Sequence, residues 1–178
     1  MKILLTAINS KFIHSNLAVR YLKAFTEDMD YISKIREFSI NDRDEKVLEE
    51  IIKEKPDIVA FSTYIWNIEM VKRLSNLIKI VNSDIKILYG GPEVSYDSSN
   101  ILNELNGDYL IEGEGEKTYR EFVEYTLGER DIKSIRGLYY KEGNKVIGNG
   151  NRPLMNMNET ATCYYQINQC RCKRQWTA

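Results

Sequence analysis

Five short apolar runs, each followed by a stretch in which apolar residues recur three or four positions apart, leave this chain little choice of architecture. Lys2 to Ile8 is a nearly continuous apolar run, and beyond a polar turn Leu17, Tyr21, Leu22 and Phe25 return at helical spacing. Ile32 to Ile40 is β-branched and alternating. Asn41 or Asp42 can cap the next helix, which carries Val47, Leu48, Ile51 and Ile52 on one face and is stopped by Pro56. Asp57 to Ser62 is the kind of run that is buried on both faces, and Ile68, Val71, Leu74, Ile78 and Val81 form the helix behind it. Ile85 to Tyr89 repeats the strand signal and ends at Gly90-Gly91-Pro92. A helix over Ser98 to Leu105, a short strand over Tyr109 to Glu112 and a helix over Glu116 to Leu127 complete the series.

Strands separated by helices pair in parallel, because a parallel partner needs a long crossover that a hairpin loop cannot supply. The expected fold is therefore α/β, a flavodoxin-like doubly wound sheet of five parallel strands in the order 2-1-3-4-5. Arg136 to Lys141, then Glu142-Gly143-Asn144, then Lys145 to Ile147 reads as a C-terminal β-hairpin extension, with Gly143-Asn144 supplying positive φ. The domain divides as 1–135 for the sheet and 136–152 for the hairpin, leaving 153–178 as a tail expected to be disordered. In such sheets ligands sit beyond the carboxyl ends of the strands, so function belongs to the loops after each strand.

Composition narrows the classes of partner. Lys and Arg number 25 against 26 Asp and Glu in 178 residues, so no large basic field exists to grip nucleic acid. No apolar run approaches the ~20 residues that cross a bilayer, Met1 to Leu5 is too short a run to read as a secretion signal, and the expected location is cytoplasmic. Cys163, Cys170 and Cys172 all fall in the last sixteen residues, which excludes a disulfide or thiolate metal site from the sheet. Charge divides near the same place: residues 151–178 hold Arg152, Arg171, Lys173 and Arg174 against Glu159, leaving residues 1–150 acidic.

The first loop, Asn9 to Asn16, contains no glycine, so backbone amides cannot close on a phosphate as they do in dinucleotide and flavin sites. A phosphate-accepting receiver domain is excluded as well, because Ser62 stands where it needs an aspartate. Ser62-Thr63-Tyr64-Ile65-Trp66-Asn67 fits either the wall of a pocket for a large flat ligand or simple packing of the top of the core. Gly90-Gly91-Pro92-Glu93 fits close approach of a ligand to the backbone or an ordinary tight turn. Glu112-Gly113-Glu114-Gly115-Glu116 would repel a phosphate; it is a flexible acidic cap or a contact to amide and hydroxyl groups. His14 is the only histidine.

Taken together, Asn9-Ser10-Lys11-Phe12-Ile13-His14-Ser15-Asn16-Leu17-Ala18, Ser62-Thr63-Tyr64-Ile65-Trp66-Asn67, Gly90-Gly91-Pro92-Glu93-Val94-Ser95 and Gly113-Glu114-Gly115-Glu116 resemble the N-terminal cobalamin-binding domain of cobalamin-dependent radical SAM proteins. Members often carry the label of the anaerobic magnesium-protoporphyrin IX monomethyl ester cyclase. The resemblance covers about residues 1–152. It implies a corrin ring across the carboxyl ends of the strands and a nucleotide tail in a groove beside the sheet. It places Gly90 and Gly91 at the tail, with Ser62 and Thr63 donating hydrogen bonds to the tail or ring periphery. Tyr64 and Ile65 would lie under the ring, Pro92 and Glu93 in the same loop as the glycines, and Asn9, Ser10, Lys11, Phe12, His14, Glu112, Gly113 and Glu114 at the ring edge and its amide arms. Cobalamin relatives of the mutase type place a histidine below cobalt where an ungapped overlay puts Lys11. The resemblance thus implies cobalt without a protein imidazole beneath it, His14 being the one residue able to supply one.

A complete enzyme of this kind continues into a radical SAM barrel whose Cys-x-x-x-Cys-x-x-Cys loop carries an iron–sulfur cluster and cleaves S-adenosylmethionine. Cys163, Cys170 and Cys172 do not have that spacing. The expectation is a cofactor-carrying module, with no catalytic or metal-ligating residues of its own and a radical SAM barrel as partner in the full-length protein, performing methyl transfer or oxidative cyclisation there. The alternative is a non-catalytic flavodoxin-like interaction domain without cofactor.

Overall fold

The computed structural model describes residues 1–11 and 15–155. Its elements run in the order β1 (Lys2–Asn9), α1 (Leu17–Phe25), β2 (Ile32–Ser39), α2 (Asp44–Lys53), β3 (Ile58–Ser62), α3 (Ile68–Val81) and β4 (Lys86–Gly90). Then come α4 (Ser98–Glu104), β5 (Tyr109–Ile111), α5 (Gly115–Thr126), β6 (Leu138–Glu142) and β7 (Lys145–Gly148). One sheet runs β2-β1-β3-β4-β5-β6-β7. The first five strands are parallel in the expected order. The hairpin joins the same sheet, β6 pairing antiparallel with β5 and β7 with β6. Only Gly143 takes positive φ in its turn, at +60°, the two-residue pattern with glycine first, so Asn144 does not share the role expected of it.

Alternation along the strands sorts side chains to two cores. Leu4, Ile8, Val59, Phe61, Ile87, Tyr89 and Leu110 meet α2, α3 and α4 through Val47, Ile51, Val71, Leu74, Ile78 and Leu102. Ile3, Leu5, Ala7, Ile58, Ala60, Leu88 and Ile111 meet α1 and α5 through Val19, Tyr119, Phe122 and Val123. β3, at the middle of the five parallel strands, is buried at every residue, which is why its sequence reads as a continuous apolar run. Neither Asn41 nor Asp42 caps α2; Arg43 stands at the cap position, and the Asp42 carboxylate instead accepts from the Ser39 backbone N–H at 2.9 Å. Among the described residues no helix is long and apolar enough to cross a membrane.

At the edge opposite the loops that follow the parallel strands, Glu54 is 9% exposed and takes Lys2, Lys34 and Arg36 on its two oxygens. Hydrogen bonds from Lys2, then Lys34, then Arg36 hold its carboxyl down at about 2. A carboxyl depressed on folding stabilises the folded state above its unfolded pKa, and that stability is lost as pH falls through the folded value. The contribution is complete above about pH 4.5 and disappears toward pH 2. Glu54→Gln should cost on the order of 2 kcal/mol at neutral pH, after allowance for screening, and flatten the acid limb of a urea-midpoint profile. An unchanged profile would show that the three cations contribute nothing net.

Candidate functional site

The loops after β1, β3, β4 and β5 converge at the carboxyl edge of the sheet, and the backbone ties them to one another. Asn67, fully buried, accepts the Tyr64 N–H on Oδ1 at 2.8 Å. Its amide nitrogen donates to the carbonyls of Ile8 at 3.0 Å and Ser62 at 2.9 Å. One side chain thereby fixes the loop after β3 to the ends of β1 and β3. Trp66 donates its indole N–H to the Ile8 carbonyl at 3.4 Å and stacks on Tyr64, ring centroids 4.5 Å apart and 9° from parallel. With those two rings held, Ile65 projects outward, 75% exposed. Leu17, Ile40, Trp66 and Tyr96, also exposed, stand in or beside loops of this edge.

The face toward α1 and α5 is lined with small or polar groups here. Ser62 pairs in register with Ala7 on one side and Gly90 on the other. Its hydroxyl accepts from the Asn16 amide at 3.2 Å, while Asn16 Oδ1 caps α1 at the Val19 N–H. Among the described residues no acceptor takes the Ser62 proton. Gly90 is partly exposed, and a Cβ there would meet only Ile111, at 4.0 Å. Thr63 is fully buried, and its Oγ1 has no hydrogen-bond partner among the described residues.

Gly91 differs from its neighbour. Its φ is +119°, and a Cβ would stand 2.3 Å from the Thr63 carbonyl oxygen and 3.0 Å from the Thr63 nitrogen. Two hydrogen bonds close the same contact, Thr63 N–H to the Gly90 carbonyl at 2.7 Å and Glu93 N–H to the Thr63 carbonyl at 3.5 Å. Both glycines were expected at the nucleotide tail; at Gly91 the chain itself occupies the side-chain position, so of the two only Gly90 leaves room for a Cβ at ordinary contact distance. Pro92 begins a short 3-10 turn through Val94.

In the loop after β5, the Gly113 N–H donates to Ser95 Oγ at 3.1 Å, and that hydroxyl donates to the Gly91 carbonyl at 2.8 Å. Glu114 is exposed, and its Oε2 accepts the Met155 N–H at 2.6 Å. Glu112 has a buried Oε2 with no hydrogen-bond partner among the described residues. The Tyr139 phenol beside it is pushed up by burial first and by that carboxylate second. Asn9 is buried, Ser10 half-buried and Lys11 exposed. Phe12 and His14 lie outside the described residues, as does the cysteine-bearing tail from residue 156.

Two surface clefts lie away from Gly90. One of about 170 Å³ is lined by Ile68, Glu93, Tyr96 and Ile101 among others, and one of about 280 Å³ by Asn103, Lys141, Gly143, Asn144 and Val146. Among the described residues no group of three or more His, Cys, Asp or Glu is arranged to hold a metal ion. Asn16, Asn67 and Ser95 were not among the expected site residues. For the asparagines a signal was available, since each directly precedes a helix, where such side chains bond to backbone.

Comparison with known proteins is consistent across sequence and structure. The family model described as B12 binding domain matches residues 3–123. An uncharacterized methyltransferase of Pyrococcus horikoshii is 31% identical over 119 residues, 66% of this chain and 26% of that protein. The cobalamin-dependent radical SAM methyltransferase TokK of Streptomyces tokunonensis is 27% identical over 95 residues, 52% of this chain and 14% of that protein. The radical S-adenosylmethionine methyltransferase TsrM from Kitasatospora setae superposes with a TM-score of 0.71 at 18% identity, covering 84% of this chain and 30% of that one. The chain thus spans less than a third of each of these relatives.

Proposed function

The chain belongs to the B12-binding domain family, and on that premise we propose that it holds cobalamin across the carboxyl edge of its sheet. The observation that carries the reading is Gly90. A partly exposed glycine, paired between Ser62 and Ile111, where a Cβ would make only ordinary contact with Ile111, is a cradle that a larger side chain would fill. The buried Thr63 hydroxyl, without a hydrogen-bond partner among the described residues, is a further polar group of this edge. These features fit the nucleotide tail, with Ser62 and Thr63 as its hydrogen-bonding groups. The outward Ile65, braced by the Tyr64–Trp66 stack, fits an apolar support beneath the ring. Asn9, Ser10 and Lys11, with Glu112, Gly113 and Glu114, are assigned to the ring edge, and Pro92 and Glu93 stay with the Gly90 loop; for Phe12 and His14 the same assignment rests on the sequence alone. When bound, the corrin would supply a centre for one-carbon transfer.

The same proposal makes the chain the cofactor module of a longer cytoplasmic enzyme, which adds a radical SAM barrel with its iron–sulfur cluster and S-adenosylmethionine. All three relatives named above are methyltransferases, which favours methyl transfer over ring-forming oxidation; none carries the cyclase label. Anaerobic mixing with hydroxocobalamin followed by gel filtration tests the binding step. Colour retained at about one equivalent is the expected result. A colourless protein at micromolar cobalamin would overturn it in favour of an interaction domain without cofactor, since micromolar binding corresponds to only about 8 kcal/mol.

A further inference from the structure

Beyond the region matched by the family model, residues 149–155 run as a strap from the end of β7 along α5. Asn149 donates its side-chain amide to the carbonyls of Ile132 at 2.6 Å and Ile135 at 3.0 Å, and the Gly137 N–H donates to the Gly150 carbonyl at 2.8 Å. Arg152, largely buried, donates Nε to Thr118 Oγ1 at 2.8 Å and to the Arg136 carbonyl at 3.1 Å, and pairs with the Glu121 carboxylate. From there the strap reaches the amino end of α5, where the Met155 N–H meets Glu114.

That last contact falls on a loop with few other supports. Gly113 and Glu114 are exposed, and a Cβ added at Gly113 would touch nothing within 4 Å. The loop is held by the Glu112 N–H to the Gly137 carbonyl, by Gly113 to Ser95, and by Glu114 to the strap. An exposed glycine-containing loop loses conformational entropy when a ligand orders it, and a tie that orders it beforehand removes part of that cost. We propose that the strap is a positioning element of the cofactor site: Arg152 anchors it on α5, and through the Met155–Glu114 hydrogen bond it holds the loop after β5 ready for the corrin edge. Coupling of this kind is reciprocal, so loading the site must tighten the strap by the factor with which the strap tightens binding.

This inference rests on the cobalamin reading, and the experiment separates the two. Hydroxocobalamin is titrated anaerobically into the 178-residue chain, into Met155→Pro, which removes the donor N–H and fixes φ at that residue, and into Arg152→Ala. Hydrogen exchange at residues 149–155 is monitored with and without cobalamin. The expected result is a Kd raised about fivefold in each variant, an unchanged thermal midpoint for Met155→Pro, and wild-type protection of the Met155 amide rising by a similar factor on loading. If Arg152→Ala fails to fold, Met155→Pro decides alone. Wild-type binding with the same Kd in the variants, or protection indifferent to cobalamin, overturns the strap's role and leaves the cobalamin reading standing. A wild-type chain that binds none overturns both.

Discussion

Gly90→Val should abolish cobalamin retention in a protein that still folds. Gly90 is a strand residue with ordinary φ, and its added Cβ would meet only Ile111 Cβ and the Ile111 carbonyl oxygen, both at 4.0 Å, which is normal contact. Valine suits a strand, so the sheet itself has no reason to object. The two methyl groups instead occupy the room beside Ser62 that the tail would need. Forcing extra carbons into a filled site costs about 1–3 kcal/mol, and at the upper end that is roughly a hundredfold in affinity. The check is one equivalent of colour lost on gel filtration at a wild-type urea midpoint. A Gly90→Val protein that carries cobalamin as the wild type does would remove the tail assignment.

The adjacent substitution should act through folding. Gly91→Ala puts a Cβ 2.3 Å from the Thr63 carbonyl oxygen, which is backbone and cannot swing aside, and it imposes a φ of +119° that L-residues avoid. Strain of about 1–3 kcal/mol from the dihedral adds to the cost of separating the loops after β3 and β4. Together these should remove roughly 3 kcal/mol or more from a domain whose total stability is of the order of 5–15 kcal/mol. Urea unfolding measures it directly. A wild-type midpoint in Gly91→Ala would mean that the two loops do not interlock.

These neighbouring glycines separate the information held in residue order from the information held in tertiary contact. Gly90-Gly91 marked a place where the chain leaves the sheet and something approaches the backbone. That the approaching group is the Thr63 backbone at one glycine and only an ordinary contact with Ile111 at the other depends on the register of β3 against β4 and on the turn through Pro92. Glu114 is similar. Its position in an acidic loop after the last parallel strand was legible, but its partner Met155 is distant in sequence and was placed only by the strap's path along α5. Tyr139 beside Glu112 required the hairpin to dock against β5, which its own alternating pattern did not specify.

Strand and helix identity, the parallel order of the first five strands and the sheet edge at which the candidate loops gather were all present in the sequence. They arise from periods of two and about 3.6 residues and from crossovers that only helices can make, and these are local rules. The motifs at the strand ends likewise pointed by themselves to the B12-binding family. The tertiary structure alone decided which glycine is vacant, which polar groups are matched, and how the hairpin and strap brace the loop after β5. Those outcomes are set by atoms brought together from distant parts of the chain, where differences of about 1 Å in packing separate an open groove from a clash.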